Sequence, residues 1–382
     1  MPIDRPLPLL GGLTPDQFMR RHWQKKPLLV RQAMAGFEAL FSPAELFALA
    51  ARDGVESRLV AQDPRRGWRL QRGPFARRAL PPLKQPGWSL LVQGVDLHDQ
   101  RAHALLHQFD FIPAARLDDL MISYASDGGG VGPHFDSYDV FLLQAQGRRR
   151  WRIGRQRDLQ LQEGVPLKIL AHFEAEQEFV LEPGDMLYLP PRYAHDGVAV
   201  GGDCQTYSIG FRAPARNELA RELLQRIADE AAEEGSDARI YRDAGQGATD
   251  TPGAIPEGLA DFAREALADA LADPSAFDRA LGEYLTEPKP SVWFEPGPAP
   301  RRLQSLVLDV RTRMLHDRRH VFINGEAWRA AGRDATLMRR LADRRRLDAR
   351  DLGRASDAAR ELLLAWCEAG WAHADGEGAD ER

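Results

Sequence analysis

The sequence predicts an α+β protein: a sandwich or barrel of antiparallel strands, then a helical segment, then a small winged-helix-like module. Three observations carry this expectation. Strand-like runs separated by short turns dominate from about Trp88 to Phe211, a spacing that suits a sandwich or barrel better than alternating strands and helices. After Pro214 the pattern changes to amphipathic helices, and after the prolines at 288 and 290 it changes again to short strands and helices.

Taken in order, the first elements are helices with explicit start signals. Thr14-Pro15-Asp16-Gln17 and Ser42-Pro43-Ala44-Glu45 each place a capping hydroxyl before proline at the first helical position, with Gln or Glu at the reciprocal position. Between them "KPLLVRQ" reads as a short strand. The strand series follows as "WSLLVQGVDL", "DLMISYA", "YDVFLLQA", "RRWRIG", "QEFVLEPGDMLYLP", "DGVAV" and "CQTYSIGF". One helix, from about Gln100 to Gln108, interrupts it, and a turn is expected at Gln146-Gly147. "ARNELARELLQRIADEAAEEG" is an amphipathic helix closed by Gly235; "GLADFAREALADALAD" and Ser275 to Tyr284 are two more. The last part reads as a strand "HVFING", helices around "ATLMRRLADRR", "DARDLGRA" and "SDAARELLLAWCEAG", and a short strand "WAHA". The expected divisions are 1–213, 214–287, 288–375 and a disordered tail, 376–382.

Composition narrows the function classes. A chain of 382 residues with 43% hydrophobic and 28% charged residues has the balance of a soluble protein of two or three domains. A net charge of -5 argues against a general nucleic-acid binder. The arginines at 339, 340, 344, 345 and 346 alternate with Asp334, Asp343, Asp348 and Asp351. That segment is an ordinary solvated helix, and no direct DNA binding is expected. Two distant cysteines, Cys204 and Cys367, exclude a disulfide scaffold and a cysteine-rich zinc site. With no signal peptide and no long apolar run, the expectation is a cytoplasmic protein without a membrane span.

The chemistry concentrates in "GGGVGPHFDSYDVFLLQAQGRRRWRIG". Its glycines do not form a phosphate loop, because a strand rather than a helix follows them. His134 and Asp136, two apart at the start of that strand, should share a face. "EPGDMLYLPPRYAHDGV" supplies a turn, a strand and then His195, which can complete a site across an antiparallel pair. Two histidines and one carboxylate are the facial triad that leaves positions open on Fe(II). Any one of these residues alone would be structural; the combination points to a metal. His103 and His107, one helical turn apart, lack an evident third ligand and read as helix surface.

These two stretches, with "HWQKKPLLVRQA" and "YSIGFRAP", resemble the JmjC/cupin-type 2-oxoglutarate oxygenases, specifically their bacterial ribosomal-oxygenase branch. The resemblance covers most of the chain. It implies a double-stranded β-helix (cupin/JmjC jelly-roll) barrel, Fe(II), and 2-oxoglutarate and dioxygen as co-substrates. It further implies hydroxylation of an arginine in the sixteenth large-subunit ribosomal protein, and a homodimer made through the helical module. Arg149 shares a strand face with Trp151 and Ile153, so it points inward, where an unpaired guanidinium is costly; the distal carboxylate of 2-oxoglutarate would pair with it. Arg148, Arg150 and Arg152 form the outer face. Ser123 and, second to it, Ser208 are the other candidates for holding 2-oxoglutarate. Tyr138 and Asp127 are candidates on the substrate side, with packing and a turn as their plainer uses. The glycines at 128 to 130 would form the rim of the site, where close approach excludes side chains. Three alternatives stay open: a hydroxylase of another side chain such as histidine, a metal-binding cupin with a winged helix that regulates transcription, and a cupin acting on small molecules.

Overall fold

The computed structural model describes residues 3–63, 67–233 and 239–374. The expected tail at 376–382 and the closing Gly235 lie outside them. The chain divides into two compact units, residues 1–213 with Pro290–Val292, and 214–289 with 293–382.

In the first unit, α1 (Pro15–Arg21) and α2 (Pro43–Ala50) both carry the expected capping boxes. Strands β1 (Leu28–Val30), β2 (Ser57–Asp63), β3 (Gly67–Arg72), β4 (Trp88–Val92), β5 (Leu117–Ala125), β6 (Asp139–Gly154), β7 (Gln177–Leu181), β8 (Met186–Leu189) and β9 (Ala194–Phe211) join in one sheet. Its order is β1-β8-β6-β9-β5-β4-β2-β3, with β7 on the far half of β6. Helix α3 (Gln100–Leu106) packs beside β5. The β2–β3 hairpin was not expected; the arginines and glutamines of "SRLVAQD" and "GWRLQR" mask its alternation.

Two expectations fail instructively. There is no turn at Gln146-Gly147, and "DGVAV" and "CQTYSIGF" are not separate strands. β6 and β9 each run on as one long strand, paired with one another from Asp139↔Phe211 to Gly154↔Ala194. Irregularities between Gln144 and Arg148 absorb the turn signal. Gly147 adopts φ +63°, and the Gln144 carboxamide donates to the carbonyls of Gln146 (2.8 Å) and Gly147 (3.3 Å). The bulge is thus stabilised from within the chain. On β9, Gly201 and Asp203 take up the matching bend with φ +83° and +53°.

The bulges reverse which residues face inward. Val140, Leu142 and Gln144 precede them on the inner face; Arg149, Trp151 and Ile153 follow them. Val140 and Leu142 therefore join Trp151, Ile153, Leu181, Leu187 and Leu189 in one interior cluster, as in a jelly roll whose long strands serve both sheets. The opposite face carries the larger core, against which the N-terminal helices pack. Phe18 of α1 is fully buried there, with ring centroids 5.5 Å from Phe141 and 5.0 Å from Tyr188. Burial of such a side chain contributes about 1.5–3 kcal/mol.

The second unit holds α4 (Arg216–Glu233), α5 (Glu257–Ala270) and α6 (Pro274–Thr286). Next come β10 (Leu306–Leu308), β11 (Met314–His316), β12 (His320–Ile323), β13 (Glu326–Arg329), α7 (Gly332–Arg344), β14 (Arg346–Leu347), α8 (Ala349–Leu352), α9 (Asp357–Glu368) and β15 (Ala372–His373). α6 packs on β11–β13, so closely that a Cβ on Gly282 would sit 2.3 Å from the Phe322 ring. Arg340 pairs with Asp351, and Arg345 donates to the carbonyls of Asp309 and Thr312. No helix of the described residues is long and apolar enough to cross a membrane.

Gly197, opposite Trp151 on β9, has no room for a side chain: a Cβ would lie 2.5 Å from the indole ring. Gly197→Ala should cost about 1–3 kcal/mol by overpacking, read as a lower urea midpoint at unchanged m-value.

Candidate metal centre

His134, Asp136 and His195 converge, their potential ligand atoms all within 4.8 Å of one another. The route differs from the expected one. β6 begins only at Asp139, so His134 and Asp136 do not share a strand face. His134 instead makes an isolated antiparallel bridge with His195: its N–H donates to the His195 carbonyl at 2.9 Å, and the reverse bond is 2.8 Å. Such directly opposed residues place their side chains on one side, and the ring centroids are 4.2 Å apart. Asp136 is held from its backbone, its carbonyl accepting from the Arg192 N–H at 2.7 Å. Pro133 just before, which has no N–H, and Gly132 at φ +79° keep this segment out of a regular ladder.

The histidines are oriented for ligation. Nδ1 of His134 lies 2.8 Å from the Gly132 carbonyl, and Nδ1 of His195 lies 2.9 Å from the Tyr193 carbonyl. A carbonyl only accepts, so each Nδ1 carries the proton and each Nε2 presents a lone pair. His195 Nε2 is 3.5 Å from Asp136 Oδ2. Burial, followed by the neighbouring His134, pushes the pKa of His195 down to about 4, so its imidazole is neutral at neutral pH. Two imidazole nitrogens and one carboxylate oxygen on one side suit a divalent iron-group ion with open positions.

Arg149 lies on the inner face with Trp151, directly across β9 from Ala199. It is 5% exposed, yet its Nε and Nη2 have no hydrogen-bond partner among the described residues. No carboxylate among the described residues pairs with it; its guanidinium rests 5.7 Å from the Trp151 ring centre. On the outer face Arg148 is exposed and Arg152 pairs with Asp196 at 2.6 Å, while the Nε atoms of Arg150 and Arg152 are also without a hydrogen-bond partner among the described residues. Ser123 and Ser208 face the same interior, since Ser208 is opposite Leu142 and Ser123 opposite Thr206. Ser123 Oγ donates to the Thr206 carbonyl at 3.3 Å. Sequence reading missed the fully buried Gln144 and its partner Thr206, whose Oγ1 donates to Gln144 Oε1 at 3.0 Å. The signal was present, for Gln144 shares the parity of Val140 and Leu142.

Tyr138 packs on the interior cluster, and burial followed by the Asp136 carboxylate raises the pKa of its hydroxyl. Asp127 is exposed, and its Oδ1 accepts from Gly201 N–H at 2.8 Å at the bend of β9. The glycine loop meets this chain's own backbone. A Cβ on Gly129 would lie 2.3 Å from the Trp88 carbonyl oxygen, and one on Gly130 2.6 Å from that of Gly197.

Comparison with known proteins decides the lineage. Residues 104–219 match the JmjC domain family, and residues 269–373 match the ROXA-like winged helix. Over 276 residues the chain is 38% identical to the ribosomal protein uL16 3-hydroxylase of Escherichia coli K12, covering 72% of this chain and 71% of that one. The chain belongs to the JmjC-domain ribosomal oxygenases. A probable ribosomal oxygenase of Haemophilus influenzae is 38% identical over 211 residues, 54% of this chain and 52% of its own. The crystal structure of E. coli YcfD superposes with a TM-score of 0.82 at 33% identity, covering 94% of this chain and 97% of that one. A YcfD complex with cobalt and 2-oxoglutarate superposes at 0.79 and 32% identity, covering 95% and 99%. The double-stranded β-helix with a C-terminal winged helix is therefore the family's fold. The chain is a 2-oxoglutarate-dependent oxygenase using Fe(II), 2-oxoglutarate and dioxygen.

An unpaired buried cation costs stability as long as nothing neutralises it. Arg149→Met should therefore melt higher than the wild type when both are free of small ligands, the usual trade of stability against a binding group. A lower melting temperature would mean that the guanidinium is satisfied some other way.

Proposed function

We propose that this oxygenase hydroxylates an arginine side chain of a large-subunit ribosomal protein, and that His134, Asp136 and His195 hold its iron. The substrate assignment is supported by the uL16 3-hydroxylase at 38% identity over most of the chain. The site assignment is supported by the set of two Nε2 lone pairs and one carboxylate. The chemistry supplied there by Fe(II), 2-oxoglutarate and dioxygen is oxidative decarboxylation of the 2-oxo acid to succinate, coupled to insertion of one oxygen atom into a C–H bond.

The protein's own part is placement. Arg149 is the observation that carries the co-substrate reading: a buried guanidinium with two idle donors receives the distal carboxylate of a dicarboxylic acid. Ser123 and Ser208 add hydroxyls on the same inner face. The apolar walls, Trp151, Leu142 and Leu187, keep water from the anion. Tyr138 borders the Asp136 side, where a substrate side chain would enter. Asp127 we assign to the β9 bend, where its carboxylate is engaged. A homodimer through the helices after residue 213 would cover Leu259 and Leu267 of α5 and Leu271 just after it, which are exposed in the single chain. A ribosomal substrate would place the enzyme in the cytoplasm.

The test is intact-mass analysis of large-subunit ribosomal proteins after incubation with enzyme, Fe(II), 2-oxoglutarate and air. One protein should gain a single oxygen atom that maps to arginine, and Asp136→Ala should abolish the gain. Arg149→Met should raise the KM for 2-oxoglutarate by at least about tenfold, as expected for losing charge-assisted bonds. An oxygen mapped to histidine would leave the chemistry and overturn the substrate.

A further inference from the structure

Helix α3 buries Ala102, Leu105 and Leu106 against the core, which fixes its rotation. His103 and His107 stand one turn apart beside that buried face. Their Nε2 atoms are 3.0 Å from each other, with ring centroids at 4.4 Å. On its other side His107 presents Nδ1 to Asp110 Oδ1 at 2.9 Å. Asp110 and His107 keep 46% and 26% of their side-chain surface exposed.

We propose that His103 and His107 are a second metal site, a bidentate chelate for a divalent cation of the zinc class. The argument begins with the short nitrogen–nitrogen distance. Two neutral imidazoles can meet this way only if one proton lies between them, donated by one ring to the lone pair of the other. Both Nε2 atoms then address a common point that a cation can take once the shared proton has moved to Nδ1 of the donor ring, a change of tautomer that leaves both imidazoles neutral and both Nε2 lone pairs available. Metal–imidazole bonds of about 2.0–2.1 Å at a tetrahedral angle would put the two nitrogens about 3.3–3.4 Å apart. The pair has to open by only a few tenths of an ångström, within the reach of small side-chain rotations.

Asp110 supplies what a ligating histidine usually has. Accepting from Nδ1–H, it fixes the tautomer and orients the ring. Partial exposure lets an ion arrive from solvent and lets water complete its coordination. Two neutral nitrogens with no carboxylate ligand disfavour Mg²⁺ and Ca²⁺ and favour Zn²⁺, Ni²⁺ or Cu²⁺, which also bind such ligands more tightly than Fe²⁺ does. The His134 centre, with its carboxylate, has a different donor set.

Zinc equivalents on the full-length protein test this, measured by calorimetry with elemental analysis of the dialysed complex. His107→Gln and His103→Gln should each bind one zinc fewer than the wild type, whatever the His134 centre holds. Asp110→Ala should keep that zinc with affinity lowered about tenfold. Cu²⁺ bound to a His134→Ala/Asp136→Ala variant should show coordination by two imidazole nitrogens in its electron paramagnetic resonance spectrum. Metal-free melting curves identify any variant that fails to fold; His107, the partly exposed member, is the safer substitution. Equal stoichiometry in folded His107→Gln and wild type, or no two-nitrogen copper signal, would overturn the proposal.

Discussion

The pairing of β6 with β9 is the constraint on which the first unit depends. Both strands are too long for a flat sheet and both break their alternation, at Gln144–Arg148 and at Gly201–Asp203. These paired irregularities let two strands line the interior over their whole length while changing the residue parity that does so. Side-chain direction alternates with period two, so removing one bulge would turn Arg149, Trp151 and Ile153 outward and bring Arg148, Arg150 and Arg152 in. The Gln144 carboxamide bonds the carbonyls that the bulge frees. A polar side chain in the barrel wall thus secures the register of everything beyond it.

That register builds an interior of unusual electrical character. Trp151, Leu142 and Leu187 share this interior with the hydroxyls of Ser123 and Ser208, a guanidinium with no carboxylate partner among the described residues, and an imidazole held neutral by burial. On the other face of the same strands Arg152 pairs with Asp196, and beside the ends of β1 and β8 Arg31 pairs with Asp185. On the co-substrate reading proposed above, a small dianion would relieve the cost of burying Arg149, whereas a neutral or cationic guest of the same size would not.

Much of this was legible in the chain itself. Capping boxes announced α1 and α2, because side chain and backbone bond locally within four residues. The inward direction of Arg149 followed from Trp151 and Ile153, which lie on the same side of the bulge. What stayed hidden was non-local. Gln146-Gly147 looks like a hairpin turn, and only the partner strand shows that the chain runs straight on. The spacing of His134 and Asp136 suggests neighbours on one strand face, whereas a bridge to β9 and a backbone bond to Arg192 bring their side chains together. Gln144 and Thr206 went unremarked because, although Gln144 shares the parity of Val140 and Leu142, only the pairing of β6 with β9 brings the two side chains together.

The orientation of the two histidines has a further meaning. Each ring is steadied by a main-chain oxygen, from Gly132 and from Tyr193; position 132, at φ +79°, favours glycine, whereas at 193 any residue would supply the oxygen. The segments around the centre can therefore change their side chains while the imidazoles keep their aim. A scaffold of this kind separates inheritance of the reaction from inheritance of its target: the mouth of the barrel can be reshaped for a new polypeptide while two imidazole nitrogens stay aimed at one point.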